Sequence, residues 1–164
     1  SGTFSSALPL PQVATLGLAY KLNEKLAFAL DVNYVGWKAY DTLAFDYAQN
    51  TASLIDTKSA RNYKNTLAFR LGANYALTEK FDARLGLAYG LTPVQNGYVT
   101  PETPDANRIN YTAGLGYKIG DHFQLDASVF FTHLKRTDTN LETNLSGTFT
   151  TNVLAPGLAI IYKF

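Results

Sequence analysis

The sequence predicts an all-β chain, a transmembrane antiparallel β-barrel segment of about seven strands that occupies residues 1–164 as one domain. Three observations carry that reading. Apolar residues recur with a period of two along each candidate strand, so each strand has two unlike faces. The connections alternate short, long, short, long along the chain. The non-apolar faces hold Gly, Ala, Thr and Asn with few charges, a poor coat for a soluble protein and a fitting lumen lining. In a soluble β-sandwich or a lipocalin-like barrel the apolar face would point inward, and more Lys and Glu would cover the outside.

Composition narrows the function classes. A net charge of +1 gives no electrostatic case for nucleic acid. With Cys 0 there is neither a disulfide framework nor a thiolate metal site. Tyr 11 and Phe 10 suit a β-protein with membrane-interface belts. No apolar run approaches the roughly 18 residues a membrane helix needs, and no signal peptide is read. Ser1 falls in mid-pattern, as expected of a mature protein or a fragment.

Residues 1–11 contain Pro9 and Pro11 and read as an edge, a kinked strand end or a loop. Alternation begins at Gln12, with Leu16, Leu18, Tyr20 and Leu22 on one face and Thr15, Gly17, Ala19 and Lys21 on the other. After a short turn at 23–25 the next strand puts Leu26, Phe28, Leu30, Val32 and Tyr34 outward and Ala27, Ala29, Asp31 and Asn33 inward, and is expected to run past Trp37 towards Tyr47. Residues 48–62 read as a long polar loop. The third strand has Leu67, Phe69, Leu71 and Tyr75 outward, with Arg70, Gly72 and Asn74 inward. A turn at 78–80 leads to the fourth, with Phe81, Leu85, Leu87 and Tyr89 outward and Asp82, Arg84 and Gly86 inward. A second long loop, 93–107, is rich in proline. The fifth strand turns Ile109, Tyr111 and Leu115 outward and Gly114, Gly116 and Lys118 inward. A turn at 120–122 follows, and the sixth has Phe123, Leu125 and Phe131 outward against Gln124, Asp126 and Ser128. A third polar loop spans 136–147. In the last stretch, 153–164, Leu154, Pro156, Leu158, Ile160, Tyr162 and Phe164 share the outward face and the pattern runs to the final residue.

Read as three residues each, the short turns keep outward residues paired with outward ones, and they set Asp31 opposite Gly17 and Asp126 opposite Gly116. The short turns are expected in the periplasm and the long loops outside the cell. The inward ionisable residues Asp31, Arg70, Asp82, Arg84, Lys118 and Asp126 are the candidate lumen-facing polar set. If the lumen is narrow they should pair, because an isolated buried charge is costly. They could guide a ligand headgroup or simply line a wet lumen. His122 and His133 lie eleven residues apart, roughly 35 Å at about 3.3 Å per residue, so they cannot share a site within one chain. The glycines at 114, 116 and 120 lack the strand–helix context of a dinucleotide fingerprint. No catalytic, metal or cofactor site is read, and an outer-membrane hydrolase is disfavoured.

A chain ending on an aromatic, Phe164, resembles the assembly signal of outer-membrane barrels. Five segments resemble the C-terminal half of the FadL/TodX family: Pro9-Leu10-Pro11, Val35 through Tyr40 with Trp37, Phe69 through Tyr75, Thr92-Pro93-Val94, and 101–108. The last holds a Pro104-Asp105-x-x-Arg108 motif before a strand. The resemblance covers essentially the whole chain but only about seven strands of a fourteen-stranded family barrel. It implies an outer-membrane channel for hydrophobic molecules such as long-chain fatty acids, not an enzyme, located in the bacterial outer membrane and crossing it several times. The implied partners are membrane lipid and lipopolysaccharide, a hydrophobic small-molecule ligand, the missing N-terminal half of the barrel and the barrel-assembly machinery. The family's plug and kinked wall strand find no match here, so its transport residues do not carry over. The alternative is a small eight-stranded outer-membrane barrel with a structural or adhesive role, closed by residues 2–10 as an extra strand.

Overall fold

The period-two segments become seven antiparallel strands of one sheet. The computed structural model describes residues 2–164. In chain order the strands are β1 (Phe4–Ser5), β2 (Val13–Lys21), β3 (Leu26–Val35), β4 (Thr42–Tyr47), β5 (Thr57–Ala60), β6 (Thr66–Ala76), β7 (Phe81–Gly90), β8 (Arg108–Ile119), β9 (Phe123–Thr139) and β10 (Ser146–Tyr162). The large sheet runs β10-β9-β8-β7-β6-β3-β2, and a separate small sheet runs β1-β4-β5. The large sheet does not close: β2 and β10 are its edges.

Register keeps like faces together across the whole sheet. Leu30 pairs with Leu71, and Leu71 pairs with Leu87. Leu87 pairs with Tyr111 and Tyr111 with Phe131. The short links lie at 22–25, 77–80 and 120–122. Asn23 and Thr78 hold the first two, each accepting backbone N–H bonds from residues two and three further on. Gly17 stands opposite Asp31, and Gly116 opposite Asp126.

The apolar face is bare. Leu158 is 88% exposed, Ile160 74%, and Leu16 and Leu154 70%. Among the described residues the buried apolar side chains are few: Tyr63, Val94, Val99, Ala106 and Leu134. All lie at the long-loop end, where Tyr63, Val94 and Val99 pack with Trp37, Tyr40, Tyr98 and Phe149. A continuous apolar band this wide is a surface made for lipid.

Four expectations are corrected at that end. The strand expected to run past Trp37 stops at Val35, where a 3-10 turn over Trp37–Ala39 redirects the chain and β4 joins the small sheet. The 48–62 loop contains β5, paired with β4 from Thr42–Ala60 to Phe45–Thr57. The 136–147 loop shrinks to 140–145, because β9 and β10 stay paired out to Thr139–Ser146. Residues 2–10 add no strand to the large sheet: Phe4 and Ser5 pair with Tyr47 and Asp46 instead, which removes the closing strand of an eight-stranded barrel. At the other end β10 stops at Tyr162, although the Lys163 N–H still donates to the His122 carbonyl.

Candidate functional site: the polar inner face

The face opposite the apolar band is organised by small residues. One row crosses the sheet through Ala19, Ala29, Gly72, Gly86 and Thr112. It floors a groove of about 590 Å³ whose walls include Asn74, Arg84, Asp126 and Ser128. Side chains this short leave the floor open, and the polar groups stand at its two ends.

Towards the short turns, Arg84 of β7 reaches across β8 to Asp126 of β9. Its Nη1 lies 3.0 Å from Asp126 Oδ1, and its Nε donates to Asn74 Oδ1 at 3.2 Å. The bridge needs the glycines of β8. A methyl on Gly116 would stand 2.7 Å from Asp126 Oδ1 and 2.9 Å from Arg84 Nη2. The Gln124 amide donates to both Asp126 oxygens, at 3.0 and 3.2 Å. Beside this cluster Lys118 Nζ lies 3.8 Å from Asp82 Oδ2 and donates to the Glu79 carbonyl at 3.4 Å. These four charges pair with one another, the carboxylates of Asp82 and Asp126 being the more buried partners.

Towards the long loops, Asp31 and Arg70 are register partners. Among the described residues, however, neither takes part in an ion pair, unlike the other four members of the set. The Asn33 amide donates to Thr15 at 2.6 Å, while Asn33 Oδ1 and Asn110 Oδ1 are buried without a hydrogen-bond partner. Asn110 lies in the same register row as Arg70, two strands away through Ala88. Two histidines stay outside this face's groups: His122 Nδ1 lies 3.1 Å from the Lys163 carbonyl, and His133 Nδ1 lies 2.6 Å from Asn152 Oδ1.

The Pro104-Asp105-x-x-Arg108 motif closes the base of the 91–107 loop. Asp105 Oδ1 lies 2.6 Å from Arg108 Nη1, and Asp105 Oδ2 accepts from the Thr92 hydroxyl at 2.9 Å. Asn107 accepts the Thr92 N–H at 2.8 Å. Pro104, with no N–H of its own, leads into this clasp. Sequence reading missed the residue beneath it. Arg136 donates to the carbonyls of Val94 and Asp105, to Asn96 Oδ1 and to Asp138 Oδ2, at 2.8 to 3.1 Å. Asp138 in turn accepts the N–H of Gly97, whose φ of 87° favours glycine. The only sequence signal was alternation of Thr132, Leu134, Arg136 and Asp138, and polar residues on both faces hid it. Phe164 lies beyond β10 with its ring against Tyr162, centroids 5.0 Å apart.

A family model described as outer membrane protein transport protein (OMPP1/FadL/TodX) matches residues 3–164. A putative outer membrane protein of Neisseria meningitidis is 29% identical over 139 residues, taking in 81% of this chain and 29% of the relative. The 47 kDa outer membrane protein of Pasteurella multocida is 25% identical over 158 residues, 96% of this chain and 36% of the relative. A Pseudomonas aeruginosa FadL homologue shares the fold with a TM-score of 0.73 at 22% identity, over 97% of this chain and 36% of that one. The toluene transporter TodX of Pseudomonas putida does so with a TM-score of 0.63 at 19% identity, over 98% and 36%. The chain therefore spans about a third of the length of the relatives it matches.

Proposed function

The chain belongs to the outer membrane protein transport family of OMPP1, FadL and TodX, and from that premise we propose that it forms one half of the wall of an outer-membrane channel for hydrophobic molecules, long-chain fatty acids among them. The observation that carries the reading is the two-faced sheet: a bare apolar band on one side, and on the other a groove of small residues with charged groups at its ends. The band meets lipid, and the groove faces the lumen. The short turns lie in the periplasm, and the long loops and the small sheet lie outside. Phe164, at the periplasmic end, is the mark that the assembly machinery reads. The two free edges, β2 and β10, pair with the other half of a barrel of about fourteen strands.

In this arrangement an amphipathic ligand lays its hydrocarbon along the floor at Ala29, Gly72 and Gly86. Arg70, with no ion pair among the described residues, offers the ligand's carboxylate a charge-assisted hydrogen bond. Arg84 is less available, because Asp126 and Asn74 already occupy it. Uptake by cells carrying the assembled barrel tests the reading. Arg70→Gln should raise the half-saturating concentration of a long-chain fatty acid by about tenfold, equivalent to one charged hydrogen bond of about 1.4 kcal/mol. Uptake of toluene, which has no charge to meet Arg70, should stay unchanged. Equal effects on both substrates would refute the headgroup role, and no saturable uptake of either by the wild-type barrel would refute the channel.

A further inference from the structure

We propose that the outward face of the β9–β10 hairpin, just above the apolar band, seats the phosphate-bearing headgroup of an outer-leaflet lipid, with Lys135 and Lys64 as its cations. The proposal rests on the outer-membrane reading above. Along β9 the outward residues change character abruptly: Phe131 is followed by His133, Lys135, Thr137 and Thr139. Register sets Asn152, Thr150, Thr148 and Ser146 opposite them in turn. A strip of hydroxyl, amide, imidazole and ammonium groups therefore continues the lipid-facing surface upward, and it contains no carboxylate.

The strip's hydroxyls are held in pairs. Thr137 and Thr148 bond at 2.7 Å, and Thr139 bonds to Ser146. Each such pair uses one hydroxyl hydrogen internally and keeps the other for a ligand. Beside Lys135 a cavity of about 550 Å³ is lined by Lys64, Thr92, Gln95, Asn96 and Asn107, and no Asp or Glu is in its wall. The nearby carboxylates are committed elsewhere, Asp105 to Arg108 and Asp138 to Arg136. Lys64 and Lys135 are exposed, and among the described residues neither forms an ion pair. Lys135 lies four residues beyond Phe131, roughly 13 Å along the strand and about 10 Å in height at a tilt near 40°. From His133 upward the outward residues of both strands are polar, the chemistry of a headgroup zone rather than of acyl chains. Two unpaired cations and a row of donors fit a phosphate monoester. Phe131, Tyr111 and Leu154, directly below on the same face, fit the chain attached to it, which favours a lipid over a free anion from solution.

The test uses the assembled barrel containing this chain, in nanodiscs of phosphatidylethanolamine titrated with bis-phosphorylated lipid A or its dephosphorylated form, with bound lipid counted by native mass spectrometry. Lys64→Gln and Lys135→Gln should each weaken binding of the phosphorylated lipid about fivefold and leave the dephosphorylated one unchanged. The double Lys→Arg variant should retain binding, which separates lost charge from lost fold. Excess inorganic phosphate should not displace the lipid. Equal binding by wild type and both glutamine variants would overturn the site, and displacement by inorganic phosphate would make it a solute site instead. Fatty-acid uptake, measured on the same preparations, should not change in the glutamine variants, so a failure of the channel reading shows separately in the wild type.

Discussion

Gly116 shows how single residues divide the work of this sheet. Its missing side chain is the space through which Arg84, from the neighbouring inward row of β7, meets Asp126 across β8. One residue over, every side chain points the other way and the chemistry changes from paired charge to bare hydrocarbon. That alternation makes a sharp prediction. Leu71→Arg and Gly72→Arg are neighbours on β6, one on each face. The first should cost about 2–4 kcal/mol in folding into bilayers, the cost of an arginine near the midplane on a lipid face, and the second well under that. Urea midpoints in vesicles read the difference, and equal costs would show that the faces are assigned wrongly. The pairing of Asp126 with Gly116 was legible from parity alone. Which arginine would fill the gap was not, because Arg84 arrives from a third strand and no two-strand register predicts it.

Among the elements, those that cross the membrane were legible and those that leave it were not. Lipid on one side and lumen on the other impose a period of two, so β2, β6, β7 and β8 could be read off the chain nearly to their ends, and β3 at its start. Above the bilayer both faces are wet or packed against loops, and the signal fades. That is why the outer third of β9, the start of β10, and β4 with β5 read as loop or as a continued strand. What holds these parts together is specific polar bonding. Arg136, with its side chain 10% exposed, ties the 91–107 loop to β9 through three loop acceptors and is held by Asp138 on β9 itself. Arg136→Ala removes one member of a buried pair and should cost about 3 kcal/mol, seen as faster proteolysis within 92–106 while the barrel strands stay protected. The small sheet depends on Asp56, which accepts the Tyr47 N–H at 2.8 Å and the Asn50 amide at 3.2 Å. The Tyr47 bond first, and then Asn50, hold its carboxyl below the ordinary 3.8. A depressed carboxylate stabilises the fold above its unfolded pKa and loses that effect as pH falls through the folded value. Protection against hydrogen exchange across 42–60, each rate taken relative to its intrinsic value at the same pH, should therefore fall on acidification below about pH 4, and Asp56→Asn should remove that fall. An unchanged pH profile in Asp56→Asn would remove Asp56 as the cause.

At the scale of the whole molecule, the decisive feature is the pair of free edges. Seven antiparallel strands leave β2 and β10 running in the same direction, so joining them to each other would need a parallel seam. A closed ring of seven would also be narrower than the eight-stranded barrels whose interiors side chains already fill, and the groove at Gly72 and Gly86 would vanish. Left open in hydrocarbon, each edge exposes backbone N–H and C=O groups at several kcal/mol apiece, more than the apolar band can offset. Both edges are therefore expected to pair with strands outside this chain, and the geometry of disulfides tests it. With Cys 0 in this chain, an introduced cysteine has no competing thiol within it. Gly17→Cys on β2 and Ala159→Cys on β10 both face inward on edge strands. Bridging needs Cα atoms within about 7 Å, a distance met between neighbouring strands and not across a barrel of about fourteen. In the assembled barrel, oxidation should leave the double variant, Gly17→Cys with Ala159→Cys, without an internal link. Each single variant should instead cross-link to a cysteine scanned along the neighbouring strand of the other half. A disulfide joining the two introduced cysteines within one chain, in membranes where saturable uptake persists, would mean that the seven strands close on themselves and that the two-half channel is wrong.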